Sequence, residues 1–183
     1  MNDIIDLLNK NTINIIMLLS KGDFYVREIS GILKISPSAV HSAIKVLLEF
    51  NFVKEVKQKN KKIYALNRDN VLLRKVKSFL NFNQIVKSKA YKELNQTGAV
   101  GLYGSFAQGA NDEHSDLDLW VYGEKIDSAL VSKISAKFEK EFKTETKVLI
   151  LNKKKLENLK DNDPEFFNRL KYTSVTEGEV FFD

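Results

Sequence analysis

The sequence predicts an α+β protein in which a helix-rich N-terminal domain is followed by a helical connector and a small C-terminal α/β domain with a mixed sheet. Three observations support this fold class. A proline-started helix carries a helical apolar stripe, two strand-like runs flank a lysine-rich loop, and a strand, a Gly-Ser turn and a second strand with two aspartates follow later in the chain. The predicted boundaries are residues 1–67, 68–95 and 96–183.

The composition is that of an ordinary globular protein, with 43% hydrophobic and 29% charged residues among 183. The absence of cysteine excludes disulfides and thiol catalysis. Two histidines, His41 and His114, are too few for an ordinary structural zinc site, so any metal must be held by carboxylates. No apolar run approaches the roughly 18 residues of a membrane span, and the N-terminus lacks a signal-peptide pattern, so we expect a cytoplasmic protein without a membrane partner.

Charge is divided unevenly along the chain. Residues 1–95 contain 17 basic and 8 acidic residues, a net charge of +9, whereas residues 96–183 contain 12 and 16, a net charge of −4. This asymmetry favours a polyanion-binding module joined to a domain that handles cations or cation-bound substrates.

The first half begins with an apolar helix over residues 13–19 that stops near Gly22, followed by a helix of about two turns around Ile29. Ser36 and Pro37 then predict a helix start, because the hydroxyl accepts from free N–H groups and proline lacks an N–H at a position where none is needed. The predicted buried stripe of this helix is Val40, Ala43, Ile44, Leu47 and Leu48, and its exposed stripe is Ser38, His41, Ser42, Lys45 and Glu49.

Two short strands at residues 52–56 and 63–66 flank a polar loop and predict a hairpin with a cationic tip. Residues 10–67 resemble a winged helix-turn-helix domain. They are predicted to contain, in this order, a helix, a short helix, a turn, the helix that begins at Pro37 and a basic hairpin. The resemblance implies that the second helix of the turn enters the major groove of double-stranded DNA, while the hairpin, or wing, reaches the flanking backbone or minor groove.

The same resemblance implies a set of DNA-binding residues on this helix and on the wing. They are Ser38, His41, Ser42, Lys45, Lys57, Lys59, Lys61 and Lys62. The exposed helix face has no arginine for a bidentate guanine contact, so we expect binding that is dominated by phosphate contacts and sensitive to salt. The alternative is a domain that binds protein or dimerises, with its lysines as solvated surface.

Residues 68–95 mix apolar and basic side chains and predict amphipathic helices. Two interpretations stay open. The segment is either a connector or dimer helix, which leaves room for a homodimer, or it packs between the two domains. The second domain is expected to begin after the small polar cluster at residues 95–98.

The second half opens with a strand-like run at residues 99–103 that leads into Gly104, Ser105 and a short helix. Glycine lets the backbone approach an anion, and the free N–H groups of a helix start favour phosphate. The next strand carries Asp116 and Asp118, whose spacing directs both carboxylates to one face. Carboxylates this close repel unless a cation lies between them, and Mg²⁺ is the hard ion that binds carboxylate, phosphate and water oxygens.

Gly104 and Ser105, separated by ten residues from an Asp-Leu-Asp strand, resemble the signature of the polymerase-β-like nucleotidyltransferase superfamily and its minimal branch. The resemblance covers residues 96–183. It implies that Gly104 and Ser105 hold a triphosphate and that Asp116 and Asp118 bind magnesium. The alternative is an acidic end of a surface loop. A helix start at Asp163 and a strand at residues 179–182 complete the predicted domain.

The family pattern also calls for a third carboxylate, which acts as general base and metal ligand. Glu145 is the only acid in the predicted strand at residues 144–151, and Lys147 lies on the same face. In one interpretation Glu145 completes the catalytic and metal-binding set while Lys147 contacts phosphate. In the other, Lys147 pairs with Asp116 or Asp118 in the place of the metal, and the domain binds without catalysis. We favour the first, because a lysine beside a triphosphate stabilises its charge.

The resemblance implies an Mg-dependent enzyme that transfers a nucleoside monophosphate from a nucleoside triphosphate, with ATP expected, to a hydroxyl, and releases pyrophosphate. Little sequence is left for a dedicated acceptor domain, so the expected acceptor is a protein or a nucleic acid. One hypothesis is transfer of AMP to a partner protein, as in antitoxin members of the minimal branch. The competing hypothesis is a non-catalytic transcriptional regulator whose second domain senses nucleotide.

Overall fold

A computed structural model describes residues 7–58 and 61–178 of the protein, which divides into two units, Met1–Lys77 and Ser78–Asp183. Elements of the first unit are α1 (Lys10–Leu19), β1 (Phe24–Tyr25), α2 (Val26–Leu33), α3 (Pro37–Glu49), β2 (Val53–Gln58) and β3 (Lys61–Leu66). The next helix, α4 (Val71–Val86), begins in the first unit and ends in the second. None of the helices within the described ranges has the length and apolar character that a membrane span requires.

The predicted start of α3 is confirmed, because the helix begins at Pro37 and the hydroxyl of Ser36 accepts a hydrogen bond from the backbone N–H of Ala39 at 3.2 Å. Four of the five predicted buried residues are buried: Val40, Ala43, Ile44 and Leu47. The prediction is wrong for Leu48, which is 38% exposed. This leucine lies roughly 100° around the helix from Leu47, at the edge of the stripe.

The sheet of the first unit has the antiparallel order β1-β3-β2. The predicted hairpin is confirmed, but its strands are longer than expected, and the β2–β3 ladder continues to the pair Gln58 and Lys61. Lys57, Lys61 and Lys62 therefore belong to the strands, while Lys59 lies outside the described residues. The strand β1 was not predicted from the sequence, since a two-residue strand shows no alternation to detect.

Elements of the second unit that follow α4 are α5 (Lys89–Asn95), β4 (Ala99–Tyr103), α6 (Gly104–Gln108), β5 (Leu117–Tyr122), α7 (Ser128–Phe142), β6 (Thr146–Leu151), α8 (Lys153–Asn162), α9 (Pro164–Thr173) and β7 (Val175–Thr176). The sheet order is β6-β5-β4-β7, with β5 and β6 parallel and the other pairs antiparallel, so the predicted mixed sheet is confirmed. Asp163 caps α9 as predicted. The strand expected at residues 179–182 lies outside the described residues.

Both faces of this sheet are covered. One face packs Leu117, Leu119 and Val121 against residues of α5 and α7. The opposite face packs Trp120 in a second apolar cluster with residues of α8 and α9. Because side chains alternate along a strand, Asp118 shares its face with Trp120. The acidic end of β5 therefore lies on the side of the sheet that α8 and α9 cover.

The predicted connector contains α4 and α5, so its helical character agrees with the structure. The division between the two units falls inside α4, after Lys77. Three residues of α5, Ala90, Tyr91 and Leu94, are buried in the core of the second unit. The domain boundaries at residues 67 and 95 stay predictions.

Candidate nucleotide site and DNA-binding face

The residues predicted to face DNA on α3 lie on one exposed face. Ser38, His41, Ser42 and Lys45 are all exposed, as expected from their helical spacing. Within the described part of the chain, Lys45 takes part in no ion pair. On the wing, the ammonium of Lys62 lies 3.0 Å from a carboxylate oxygen of Glu55, and this hydrogen bond raises the pKa of Lys62. Among the described residues, the helix thus presents a cation without an ion-pair partner, whereas this wing lysine is already paired.

The Gly104–Ser105 turn packs tightly against the acidic strand. β4 ends at Tyr103, and Gly104 begins α6 with a φ of +68°, a left-handed conformation that favours glycine. A Cβ atom on Gly104 would overlap the side-chain carboxylate of Asp118. The backbone conformation therefore favours glycine here, and a Cβ atom would displace the carboxylate of Asp118, so the turn lies beside one of the predicted metal ligands.

Asp116 and Asp118 lie at the beginning of β5, with Asp116 directly before the strand. Burial and the neighbouring charge of Asp116 raise the pKa of Asp118, and the positive charge of Lys147 opposes this shift. The parallel register pairs Asp118 with Lys147 on β6. Residues paired in a parallel ladder direct their side chains to the same face, so the lysine and the acidic pair meet.

Lys147 is the centre of the polar contacts at this site. Its ammonium lies 2.5 Å from Asp116 Oδ2 and 3.7 Å from Glu145 Oε1. The hydrogen bond to Asp116, followed by the negative charges of Asp116 and Glu145, raises the pKa of Lys147. The lysine side chain is 56% exposed and that of Glu145 is 65% exposed. The structure therefore brings Lys147 together with Asp116, the arrangement of the second sequence-based interpretation.

Asp116 and Asp118 offer the hard oxygen ligands that magnesium takes. Among residues 7–58 and 61–178, however, no three His, Cys, Asp or Glu side chains are grouped so that they could hold a metal ion. In this arrangement Glu145 does not form such a group with the aspartates, and its role as the third carboxylate stays a prediction. As placed, these side chains fit an ammonium supplied by the chain and do not fit a two-metal centre.

An aromatic and cationic patch that was not predicted from the sequence lies beside the same site. The rings of Tyr103 and Phe166 meet edge to face with centroids 6.1 Å apart, and the guanidinium of Arg169 lies 5.3 Å from the centre of the Phe166 ring. Burial and then the charge of Asp118 raise the pKa of Tyr103, while Lys147 and Arg169 oppose the shift. The signal available in the sequence was the three-residue spacing of Phe166 and Arg169 on one helix face.

Two family models match this chain. The one described as "Polymerase beta, Nucleotidyltransferase" matches residues 83–168, and the one described as "Bacterial regulatory protein, arsR family" matches residues 9–55. No curated protein matches the sequence. A solved structure described as "Crystal structure of the toxin-antitoxin with AMP-PNP" is similar over 63% of this chain and 75% of that chain, with 12% sequence identity and a TM-score of 0.38.

The two family matches cover the two candidate regions described above. The nucleotidyltransferase match includes the Gly104–Ser105 turn, the acidic pair and Lys147, and the arsR-family match includes the exposed face of α3. The predicted fusion is thereby confirmed: the chain joins an N-terminal helix-turn-helix domain of the arsR regulatory family to a C-terminal nucleotidyltransferase domain of the polymerase beta family.

Proposed function

We propose that this protein is a DNA-binding regulator whose nucleotidyltransferase domain binds a nucleoside triphosphate, with ATP as the expected ligand, and does not turn it over. The observation that carries the proposal is the contact between Lys147 and Asp116, with Glu145 nearby on the same ammonium. This lysine pairs with Asp116, a carboxylate that a transferase would use to hold cations, and offsets its charge. The alternative interpretation of the sequence is therefore the one that the geometry supports better.

DNA binding is supported by the helix-turn-helix family match and by the exposed face of α3. This face combines two serines, one histidine and Lys45, which can contact phosphates and base edges. The excess of basic residues before residue 96 supplies the electrostatic attraction to duplex DNA. We therefore assign the DNA-binding role to Ser38, His41, Ser42 and Lys45 on the helix and to Lys57, Lys59, Lys61 and Lys62 on the wing.

Triphosphate binding is supported by three features of the second unit. Its family match is to nucleotidyltransferases, its Gly104–Ser105 turn begins a helix beside Asp118, and it holds two cations in this area. Lys147 and Arg169 would attract the phosphates, whereas Asp116 and Asp118 would repel them. The site therefore suits a ligand that competes with Asp116 for the ammonium of Lys147.

Catalysis is the second candidate, and a specific observation favours it. Glu145, Asp116 and Asp118 lie on one side of the sheet edge, and both Lys147 and Glu145 are more than half exposed, so the ion pair is free to separate. In this case the oxygen of an acceptor hydroxyl forms a bond to the α-phosphorus of ATP while its proton passes to the carboxylate of Glu145, the expected general base. The bond between the α-phosphorus and the oxygen that bridges to the β-phosphate breaks, and pyrophosphate leaves with that oxygen. The acceptor would be a protein or nucleic acid, and dependence on magnesium belongs to this candidate.

The first experiment separates the two candidates through ATP binding and pyrophosphate release. Purified protein is titrated with ATP by calorimetry, with magnesium and with EDTA, and pyrophosphate is then measured in the presence of a lysate as the source of acceptors. The proposal expects saturable ATP binding that survives EDTA and no pyrophosphate above the background of the lysate. Pyrophosphate release that requires the protein would support the transferase instead, and the absence of ATP binding would contradict both.

Removal of one carboxylate is expected to change the affinity for ATP in opposite directions for the two candidate functions. In the regulator, Asp116→Asn frees Lys147 for phosphate and removes a repelling charge, so the affinity for ATP in EDTA should rise roughly fivefold or more. In the transferase, Asp116→Asn and Asp118→Asn should abolish both magnesium-dependent binding and turnover. Lys147→Gln is the matched control, because it removes the cation and should weaken ATP binding in the regulator.

A further inference from the structure

Two polar side chains of α4 donate hydrogen bonds to backbone carbonyls of the short helix α6. The side chain of Asn81 is 3% exposed, and its Nδ2 donates to the backbone carbonyl of Phe106 at 3.0 Å and to Asn111 Oδ1 at 2.8 Å. One turn earlier, the hydroxyl of Ser78 donates to the backbone carbonyl of Ala107. All of these residues belong to the second unit. The helix that begins at Gly104 is therefore bound to α4 by side-chain hydrogen bonds.

The shortness of α6 gives these bonds their importance. Helix ends leave backbone carbonyls without intrahelical partners, and a helix of five residues consists almost entirely of ends. Ser78 donates to the carbonyl of Ala107, and Asn81 adds a second donor to the carbonyl of Phe106, which also accepts from the backbone N–H of Gly109 at 3.2 Å. A buried amide that donates two hydrogen bonds also resists displacement, because each bond lost inside the protein leaves a polar group unsatisfied.

The opposite end of α6 is confined as well. Gly104 lies against the carboxylate of Asp118, so closely that a Cβ atom would overlap it. The turn is thus held between the acidic strand on one side and α4 on the other. A displacement of α6 away from α4 would move Gly104 and Ser105 relative to β5 and so change the site beside which the nucleotide is proposed to bind.

We propose that Asn81 is a positioning residue for nucleotide binding: through the carbonyl of Phe106 it fixes α6 so that the Gly104–Ser105 turn receives the phosphates of a nucleoside triphosphate. Ser78 assists through Ala107. This inference rests on the proposed function, because it assumes that the turn binds ATP. It adds a residue outside the sequence motif, on a different helix, to the set that determines the affinity for the nucleotide.

A charge-matched pair of variants tests the assignment. Asn81→Asp keeps a contact with Asn111, whose amide can turn to donate, but it loses the donor to Phe106 and places a carboxylate against that carbonyl. Asn111→Asp introduces the same charge at the same contact and keeps an oxygen that accepts from Asn81, so the bond to Phe106 remains. Asn83→Ala, on the same helix, is a further control that removes an amide for which the described residues show no hydrogen bond to α6.

ATP affinity is measured by calorimetry for the wild type and the three variants, together with thermal unfolding and the affinity for duplex DNA. We expect Asn81→Asp to weaken ATP binding roughly tenfold relative to Asn111→Asp. Asn83→Ala should bind ATP like the wild type. DNA affinity should be the same in all variants, which shows that the first unit is folded in each of them.

The outcomes separate the inference from the function on which it rests. Equal ATP affinities for Asn81→Asp and Asn111→Asp would overturn the positioning role, even if the wild type binds ATP tightly. No ATP binding by the wild type would instead overturn the proposed function. If Asn81→Asp unfolds, Ser78→Ala supplies the test: a several-fold loss of ATP affinity without a change in the affinity for adenosine supports the assignment, and an unchanged ATP affinity contradicts it.

Discussion

The two units present their charged residues in different ways. On α3 of the first unit, the side chains proposed to bind DNA are exposed, and Lys45 has no ion-pair partner within the described residues. At the sheet edge of the second unit, the side chains proposed for nucleotide chemistry bind one another, with Lys147 on Asp116. The first surface can bind an external polyanion directly. At the second surface, a ligand can bind only if the ion pair between Lys147 and Asp116 breaks.

Salt dependence should show this difference most strongly. Binding of duplex DNA by the wild type is expected to weaken roughly a hundredfold between about 50 mM and about 200 mM salt, because phosphate contacts release condensed counterions. ATP affinity should fall less than about fivefold over the same range, since Asp116 and Lys147 already offset one another. Fluorescence anisotropy and calorimetry measure the two quantities. An ATP affinity as salt-sensitive as DNA binding would remove the distinction between the units.

Two glycine substitutions should have opposite effects on stability in the two units. Gly104→Ala forces a left-handed conformation on alanine and pushes its Cβ into Asp118, which should lower the free energy of unfolding by roughly 2 kcal/mol. Gly31→Ala, in α2, meets no atom within 4 Å and should raise the free energy of unfolding by about 0.5–1 kcal/mol.

Urea denaturation followed by circular dichroism measures both changes. The two variants differ from the wild type by the same methyl group, so their comparison isolates the local backbone. A Gly104→Ala protein as stable as the wild type would mean that the turn does not pack against Asp118 in solution.

The smallest expected effect is a change in the salt dependence of DNA binding when one of two lysines of the first unit is replaced. Lys45→Gln should reduce the slope of log affinity against log salt by about 0.9, because an unpaired lysine contributes a full phosphate contact. Lys62→Gln should change the slope less, since Lys62 already pairs with Glu55 at 3.0 Å. The measurement is a salt titration of anisotropy with one duplex. A larger change for Lys62→Gln would indicate that the wing, and not α3, supplies the main phosphate contacts.

The architecture of both units could be predicted from local signals. Ser36 and Pro37 mark the start of α3 by hydrogen-bonding chemistry that needs no distant residue, and the structure has the helix there. The apolar residues Leu117, Leu119 and Val121 alternate as a half-buried strand does, and all three lie in the core. The prediction failed for Leu48, where exposure depends on how far the neighbouring elements extend, and for β1, whose two residues show no alternation.

The site itself could be predicted only in part. Spacing along one strand indicated that Asp116 and Asp118 belong together, because alternation is a local property. The partner of these carboxylates depends on the register between β5 and β6, which pairs Asp118 with Lys147 and is not encoded in either strand alone. Arg169 and Asn81 were missed for the same reason, since each reaches the site through packing between elements distant in sequence.

Binding of a divalent cation tests most directly the claim that Lys147 is the resident cation of the acidic cluster. The free concentration of Mn²⁺ is followed by electron paramagnetic resonance during titration of the wild type, Lys147→Gln and Lys147→Asp. Because position 147 is paired with Asp118, the aspartate variant places a third carboxylate beside the pair. We expect weak Mn²⁺ binding by the wild type and an affinity at least roughly tenfold higher for Lys147→Asp, with Lys147→Gln in between. Tight binding by the wild type that Lys147→Asp fails to strengthen would contradict the account.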